Sequence, residues 1–137
     1  MSALAYRAKK SNGHNEQAME KFADGLRITP ERLQWCRFWV AQEKGEIIGC
    51  IALEVLERGR GEVRSFFIAP EHQGRGIGKR LMLALVTIAN TQGITQLQEH
   101  PDPVSVKHYQ RLGFRIEGAK VSRSCTDVEV PYMLRDL

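Results

Sequence analysis

The segment Ser65-Phe66-Phe67-Ile68-Ala69-Pro70-Glu71-His72-Gln73-Gly74-Arg75-Gly76-Ile77-Gly78-Lys79 decides how this chain is read. Phe66, Phe67 and Ile68 favour a strand, and Pro70 ends it. Three glycines then alternate at 74, 76 and 78. Beyond them Ile77, Leu81, Ala84, Leu85 and Ile88 recur at i, i+4, i+7, i+8 and i+11. That is the apolar stripe of an amphipathic helix from Ile77 to about Thr91, with Gly93 placed to cap its end. A strand, a glycine-rich turn and a helix start together are the context an anion site needs. The first helical turn has unpaired N–H groups and the positive end of the macrodipole. Glycines let a phosphate approach the main chain closely. Arg75, Lys79 and Arg80 add positive charge, and a pyrophosphate is the natural guest. The spacing fits neither GxxxxGK[ST] nor GxGxxG.

Upstream, Leu4 to Ala8 reads as a short strand and Asn15 to Leu26 as an amphipathic helix. Thr29-Pro30-Glu31 restarts a short helix over Pro30 to Gln34. Three antiparallel strands follow, at Arg37 to Gln42, Ile47 to Leu56 and Val63 to Ile68. Turns at Glu43 to Glu46 and Arg58 to Gly61 separate them. Downstream of the long helix, Ile94 to Gln98 is a strand parallel to the third, reached by a helical crossover. Pro101 to Pro103 breaks the chain, and Val104 to Leu112 is a helix capped by Gly113. Phe114 to Glu117 and Val128 to Leu134 finish as strands around a polar loop from Gly118 to Asp127. The order β-α-α-β-β-β-α-β-α-β-β predicts an α+β fold with a mixed, mostly antiparallel sheet flanked by helices.

Composition agrees with this reading. The 137 residues suit one domain over 1–137, and 42% hydrophobic with 26% charged residues is a globular balance. No apolar run reaches the ~20 residues of a membrane span, and Met1 to Lys10 lacks the features of a secretory signal. A cytoplasmic protein is therefore expected. Twenty basic against 16 acidic residues give +4, with no block of like charges to grip nucleic acid. Cys36, Cys50 and Cys125 are odd in number and lack CxxC spacing, and the four histidines show no HExxH or HxH pairing. Neither a disulfide framework nor a metal site is expected.

The spacing Gln73-x-x-Gly76-x-Gly78, behind Ile68 and Pro70, resembles the (Q/R)xxGxG/A pyrophosphate loop of the GNAT superfamily of N-acetyltransferases. His108-Tyr109-Gln110-Arg111-Leu112-Gly113-Phe114 resembles that family's (F/L)Y-x-x-x-GF segment, on the helix where the family has it. The element order is similar along nearly the whole chain, and the specific residues lie in Phe66 to Lys79 and Asp102 to Phe114. The resemblance implies acetyl-CoA as co-substrate. Its pantetheine arm would pair with the backbone of about Phe67 and Ile68, between that strand and a diverging strand at Ile94 to Gln98. Its pyrophosphate would rest on the N–H groups of Gln73, Gly74, Arg75, Gly76, Ile77, Gly78 and Lys79. Tyr109 corresponds to the general acid that serves the leaving thiolate.

The carry-over has gaps. The family often has asparagine seven residues before the tyrosine; here Asp102 stands there, and an ionised aspartate cannot donate. Some members carry a basic glutamate four residues before the aliphatic position, where this chain has Arg64. Strand alternation groups Glu62, Arg64 and Phe66 on one face, which makes Glu62 a substitute, alongside Glu99 and His100. Deprotonation through ordered water is the default. No cysteine is placed as a covalent relay. Trp35, Phe38 and Trp39 read as core. The expected partners are acetyl-CoA and a primary amine, on a small molecule or a protein, with no nucleic acid or membrane, and a homodimer is compatible. The rival reading is a non-catalytic CoA-binding or regulatory module with the same fold.

Overall fold

The computed structural model describes Pro30, residues 35–121 and residues 129–137. The expected strand at Leu4 to Ala8, the helices at 15–26 and 30–34, and most of the loop before the last strand lie outside the described residues.

Three strands open the described part: β1 (Cys36–Glu43), β2 (Glu46–Val55) and β3 (Arg60–Ile68). A two-residue turn at Lys44 and Gly45 joins β1 to β2, both residues at positive φ (48° and 81°), which suits the twist of a tight hairpin. Helix α1 (Ile77–Thr91) has the expected ends. Then come β4 (Gln96–Glu99), a 3-10 turn over Pro103–Ser105, α2 (Val106–Arg111), β5 (Arg115–Val121) and β6 (Glu129–Asp136). The sheet runs β1-β2-β3-β4-β6-β5, with only β3 and β4 parallel. This is the mixed, mostly antiparallel sheet the sequence predicts.

Several boundaries differ by a residue or more, and three of them have a clear cause. β3 begins at Arg60, because Arg60, Gly61 and Glu62 are claimed by β4 on the other side. β4 begins two residues later than expected, because Ile94 turns into the core instead of the sheet. β5 runs past Gly118 to Val121, with a register shift between Ile116 and Gly118 absorbing the glycine as a bulge. The anticipated loop is therefore shorter at its start.

The core lies between the sheet and the helices. Leu81, Met82, Leu85 and Ala89 of α1 pack on Ile51, Leu53, Val63, Leu97 and Met133, joined by Tyr109 and Phe114. Leu85 is fully buried. Leu85→Ala should destabilise the fold by about 2–5 kcal/mol, from lost burial plus the cavity left behind. Denaturant unfolding would show this as a lower midpoint at unchanged slope.

Two irregularities shape β3. Its pairing with β4 stops after three rungs, Arg60↔Gln96, Gly61↔Leu97 and Glu62↔Gln98, while β3 continues through residues 63–68. Its register with β2 shifts between Ala52↔Arg64 and Cys50↔Phe67, so one extra residue is accommodated there. Ser65, at φ 52°, is that bulge. The bulge overturns the simple alternation that groups Glu62, Arg64 and Phe66. Past Ser65 the faces exchange, and Phe66 packs against the same core as Val63.

Candidate active site

The glycine turn is built by short local bonds. Ala69 N–H donates to Ile48 O at 2.8 Å, and His72 N–H to Ala69 O at 2.9 Å, closing the single turn Pro70–His72. The Gln73 side-chain amide donates back to Ile68 O at 3.3 Å. Gly74 and Gly76 follow at φ 76° and 80°, a region where other residues are strained. Gly76 is the N-cap of α1 and no side chain caps it. The first helical hydrogen bond runs from Arg80 N–H to Gly76 O at 3.1 Å. The N–H groups of residues 77–79 precede it and have no intrahelical acceptor. A Cβ built on Gly74 or Gly76 would meet nothing within 4 Å, so the space before these amides is open. Gly78 is different: a Cβ there would come within 3.3 Å of Phe66 Cζ, and its absence lets the start of α1 lie on the β3 side chain.

The cations of the turn divide. Arg75 bonds both carboxylate oxygens of Glu43 at 3.2 and 3.4 Å and contacts His72 Nδ1. The Arg75 guanidinium, followed by the more distant His72, holds the Glu43 carboxyl below the usual range. The Arg75 side chain is thus tied to the end of β1, while Lys79 and Arg80 are exposed beside the amides. Open glycine surfaces, unpaired N–H groups and exposed cations suit a diphosphate.

Tyr109, on α2, is buried in the core between the sheet and the helices. Its ring meets Phe66 at 5.9 Å, His108 at 5.8 Å and Phe114 at 5.5 Å, each edge to face. Burial first, and then the charges of Glu99 and Asp102, push its phenol well above 10. Tyr109 is therefore a neutral hydroxyl at any physiological pH, able to donate a hydrogen bond. Asp102, standing where the resemblance anticipates asparagine, acts here through its negative charge. His108 packs at 5.8 Å from Phe66, and burial, then Arg111, lowers its pKa.

The opposite face of β3 and β4 carries a polar cluster. Glu62, 2% exposed, meets His100 Nδ1 at 3.0 Å. His100 stacks on Tyr132, with centroids 5.2 Å apart and planes 26° apart. Tyr132 donates to Gln98 Oε1 at 3.1 Å and accepts from Arg60 at 3.3 Å, and Lys120 Nζ lies 3.9 Å from its ring centroid. The sequence offers Glu62 and His100 as separate proton acceptors; the structure joins them. The charge of Glu99 raises the Tyr109 pKa. Sequence reasoning missed Tyr132, Gln98 and Arg60, which lie in no motif. The one available signal was the register of a parallel strand pair, which puts Gln98 opposite Glu62.

Further along this face Arg64 pairs with Glu54 at 2.6 Å. Trp35, Cys36, Phe38, Glu54, Arg64 and Ser65 line a small cavity of about 170 Å³. Trp35 is 77% exposed and is not core, because it precedes β1 and reaches this surface. Trp39, in contrast, packs on the core as expected. Cys50 is fully buried and directs its thiol to Ser65 O at 3.2 Å. Burial pushes that thiol up to about 11, which leaves no thiolate for nucleophilic attack. Cys36 is likewise not in a disulfide, and Cys125 lies outside the described residues. Among the described residues no helix is long and apolar enough to cross a membrane.

Comparison with known proteins agrees with this geometry. The chain is 37% identical over 62 residues to an IAA acetyltransferase of Azospirillum brasilense, covering 44% of this chain and 40% of that one. It is 30% identical over 84 residues to probable N-acetyltransferase 14 of Danio rerio, covering 58% of this chain and 30% of that protein. The chain thus spans less than half the length of these two relatives. The PaiA N-acetyltransferase of Thermoplasma acidophilum, solved in complex with coenzyme A, superposes with a TM-score of 0.81. That likeness covers 99% of this chain and 90% of the other at 20% identity, and it shows the shared fold. Residues 34–116 match the model of the acetyltransferase (GNAT) domain. With the glycine turn, the short β3–β4 ladder and the buried tyrosine all inside that stretch, this chain belongs to the GNAT acetyltransferase family.

Proposed function

We propose that this chain transfers an acetyl group from acetyl-CoA to a primary amine by direct attack in a ternary complex. The observation that carries the reading is the early end of the β3–β4 ladder beside a glycine turn with open amides. Backbone of β3 beyond Glu62 has no rung to β4 and is available to the amide-bearing arm of CoA. Phe67 and Ile68 are the expected contacts; the Ile68 carbonyl already accepts from Gln73 and keeps a second lone pair. Gln73 to Lys79 would hold the pyrophosphate through main-chain N–H groups, with Lys79 and Arg80 adding charge. Acetyl-CoA supplies a thioester, whose carbonyl is open to an uncharged amine.

Tyr109 serves the leaving sulfur. A free thiol has a pKa near 8.5, so its thiolate leaves more readily when a hydroxyl donates to it. With the phenol raised above 10, complete proton transfer from Tyr109 is uphill by more than about 2 kcal/mol. Tyr109 therefore acts as a strong hydrogen-bond donor, and solvent completes the protonation. The protonated, inaccessible Cys50 supports direct attack over an acyl-cysteine relay.

Two measurements check this. Titration calorimetry with acetyl-CoA should show binding, and thiol release should appear with at least one member of an amine panel. Binding without thiol release from any amine would favour the non-catalytic module. No binding at millimolar acetyl-CoA would overturn both readings.

A further inference from the structure

Glu62 and His100 flank the end of the β3–β4 ladder. Glu62 forms the last rung with Gln98, and His100 follows two residues later, just past the end of β4. Among the described residues Glu62 is the one charged side chain fully withdrawn from solvent. A carboxylate at that depth persists only with close partners, and His100 Nδ1 at 3.0 Å is one of them. A carboxylate accepts and cannot donate, so facing it Nδ1 carries the hydrogen, and in the neutral imidazole the lone pair is then on Nε2. Stacking on Tyr132 fixes the ring plane, and Tyr132 is itself held by Gln98 and Arg60. The His100 side chain remains 11% exposed against 2% for Glu62, so the imidazole is the more accessible member of the pair.

The placement relative to Tyr109 is informative. A Cβ on Gly61 would meet Leu53 and Leu97, and Val63 packs in the same core as Tyr109, so residues 61 and 63 face the helices. Glu62, between them, faces the other way. A proton donor and a proton acceptor thus stand on opposite faces of the sheet.

We propose that His100, oriented by Glu62 and Tyr132, is the group that takes the proton from the acceptor ammonium, with Glu62 as a positioning residue. This rests on the transferase reading above. An alkylammonium gives one proton to His100 Nε2, and the neutral nitrogen attacks the thioester carbonyl. The C–N bond forms and the C–S bond breaks. Of the two protons the nitrogen loses, one passes through His100 to solvent and the other is balanced by protonation of the CoA thiolate. No further reactant is needed.

The test compares wild type, His100→Gln and Glu62→Gln in thiol release from acetyl-CoA. The acceptors are a panel of alkylamines and hydroxylamine, which is already neutral at pH 7. With alkylamines kcat should fall about 100-fold in His100→Gln and about 10-fold in Glu62→Gln. Acetyl-CoA affinity should stay within about twofold of wild type. With hydroxylamine the His100→Gln defect should shrink to less than about fivefold, since no proton must be removed before attack. Equal losses with both kinds of nucleophile, or an unchanged kcat, would overturn the proposal. If His100→Gln loses acetyl-CoA binding through misfolding, His100→Ala with added imidazole decides instead: restored thiol release supports the proposal and none overturns it. A wild-type chain that binds acetyl-CoA but transfers to no amine removes the transferase reading and this proposal with it. Transfer by wild type with an unaffected His100→Gln removes the proposal alone.

Discussion

Gly76→Asp should bind acetyl-CoA about 30- to 1000-fold more weakly than wild type, a loss of about 2–4 kcal/mol. Two terms add. At φ 80° a residue with a Cβ is strained by about 1–3 kcal/mol, relieved only by moving the turn. A carboxylate beside the first N–H groups of α1 also occupies the positive end of the helix and repels a pyrophosphate. Its Cβ meets nothing within 4 Å, so the core is untouched and thermal unfolding should remain cooperative. Gly76→Ala separates the terms, since it carries the strain without the charge and should lose less affinity. Calorimetry on the three proteins checks both expectations. Normal affinity in Gly76→Asp would mean that the turn holds no anion.

Tyr109→Phe should lower kcat about 100-fold while leaving the affinity for acetyl-CoA within about twofold. The ring keeps its edge contacts with Phe66 and Phe114, so packing survives and the hydroxyl alone is lost. An unchanged kcat would reduce Tyr109 to a packing residue. The same substitution has a stability signature. The folded-state pKa of Tyr109 is raised, so above about pH 10 the unfolded chain gives up this proton first. Its contribution to stability is complete below that pH and is lost, at up to about 1.4 kcal/mol per pH unit, as pH rises toward the folded value. Tyr109→Phe should remove that component, giving a shallower fall of stability with pH in the alkaline range than wild type shows.

The parts legible in the sequence were those with local causes. Helix α1 matches its expected span because its apolar stripe and its flanking glycines are written within one short stretch. The glycine turn is legible for the same reason. The parts that were missed depend on strands meeting at a distance. Glu62 looks like a solvated residue near a turn; it lies in β3 because β4 pairs with it, and it is buried with His100 as a partner 38 residues away. The bulge at Ser65 has no glycine to announce it. It appears only in the register with β2, and it moves Phe66 to the core face. Trp35 was misread as core because an aromatic residue beside a strand reads as buried until the strand's end is fixed in space.

CoA is expected to enter between β3 and β4 over the glycine turn. Backbone amide spectra of the isotopically labelled chain, recorded during titration with acetyl-CoA, test that most directly. The largest shifts are expected at Gln73 to Lys79 and along β3 from Val63 to Ile68, saturating together. Shifts confined to other surfaces, with those two stretches unmoved at saturation, would contradict it.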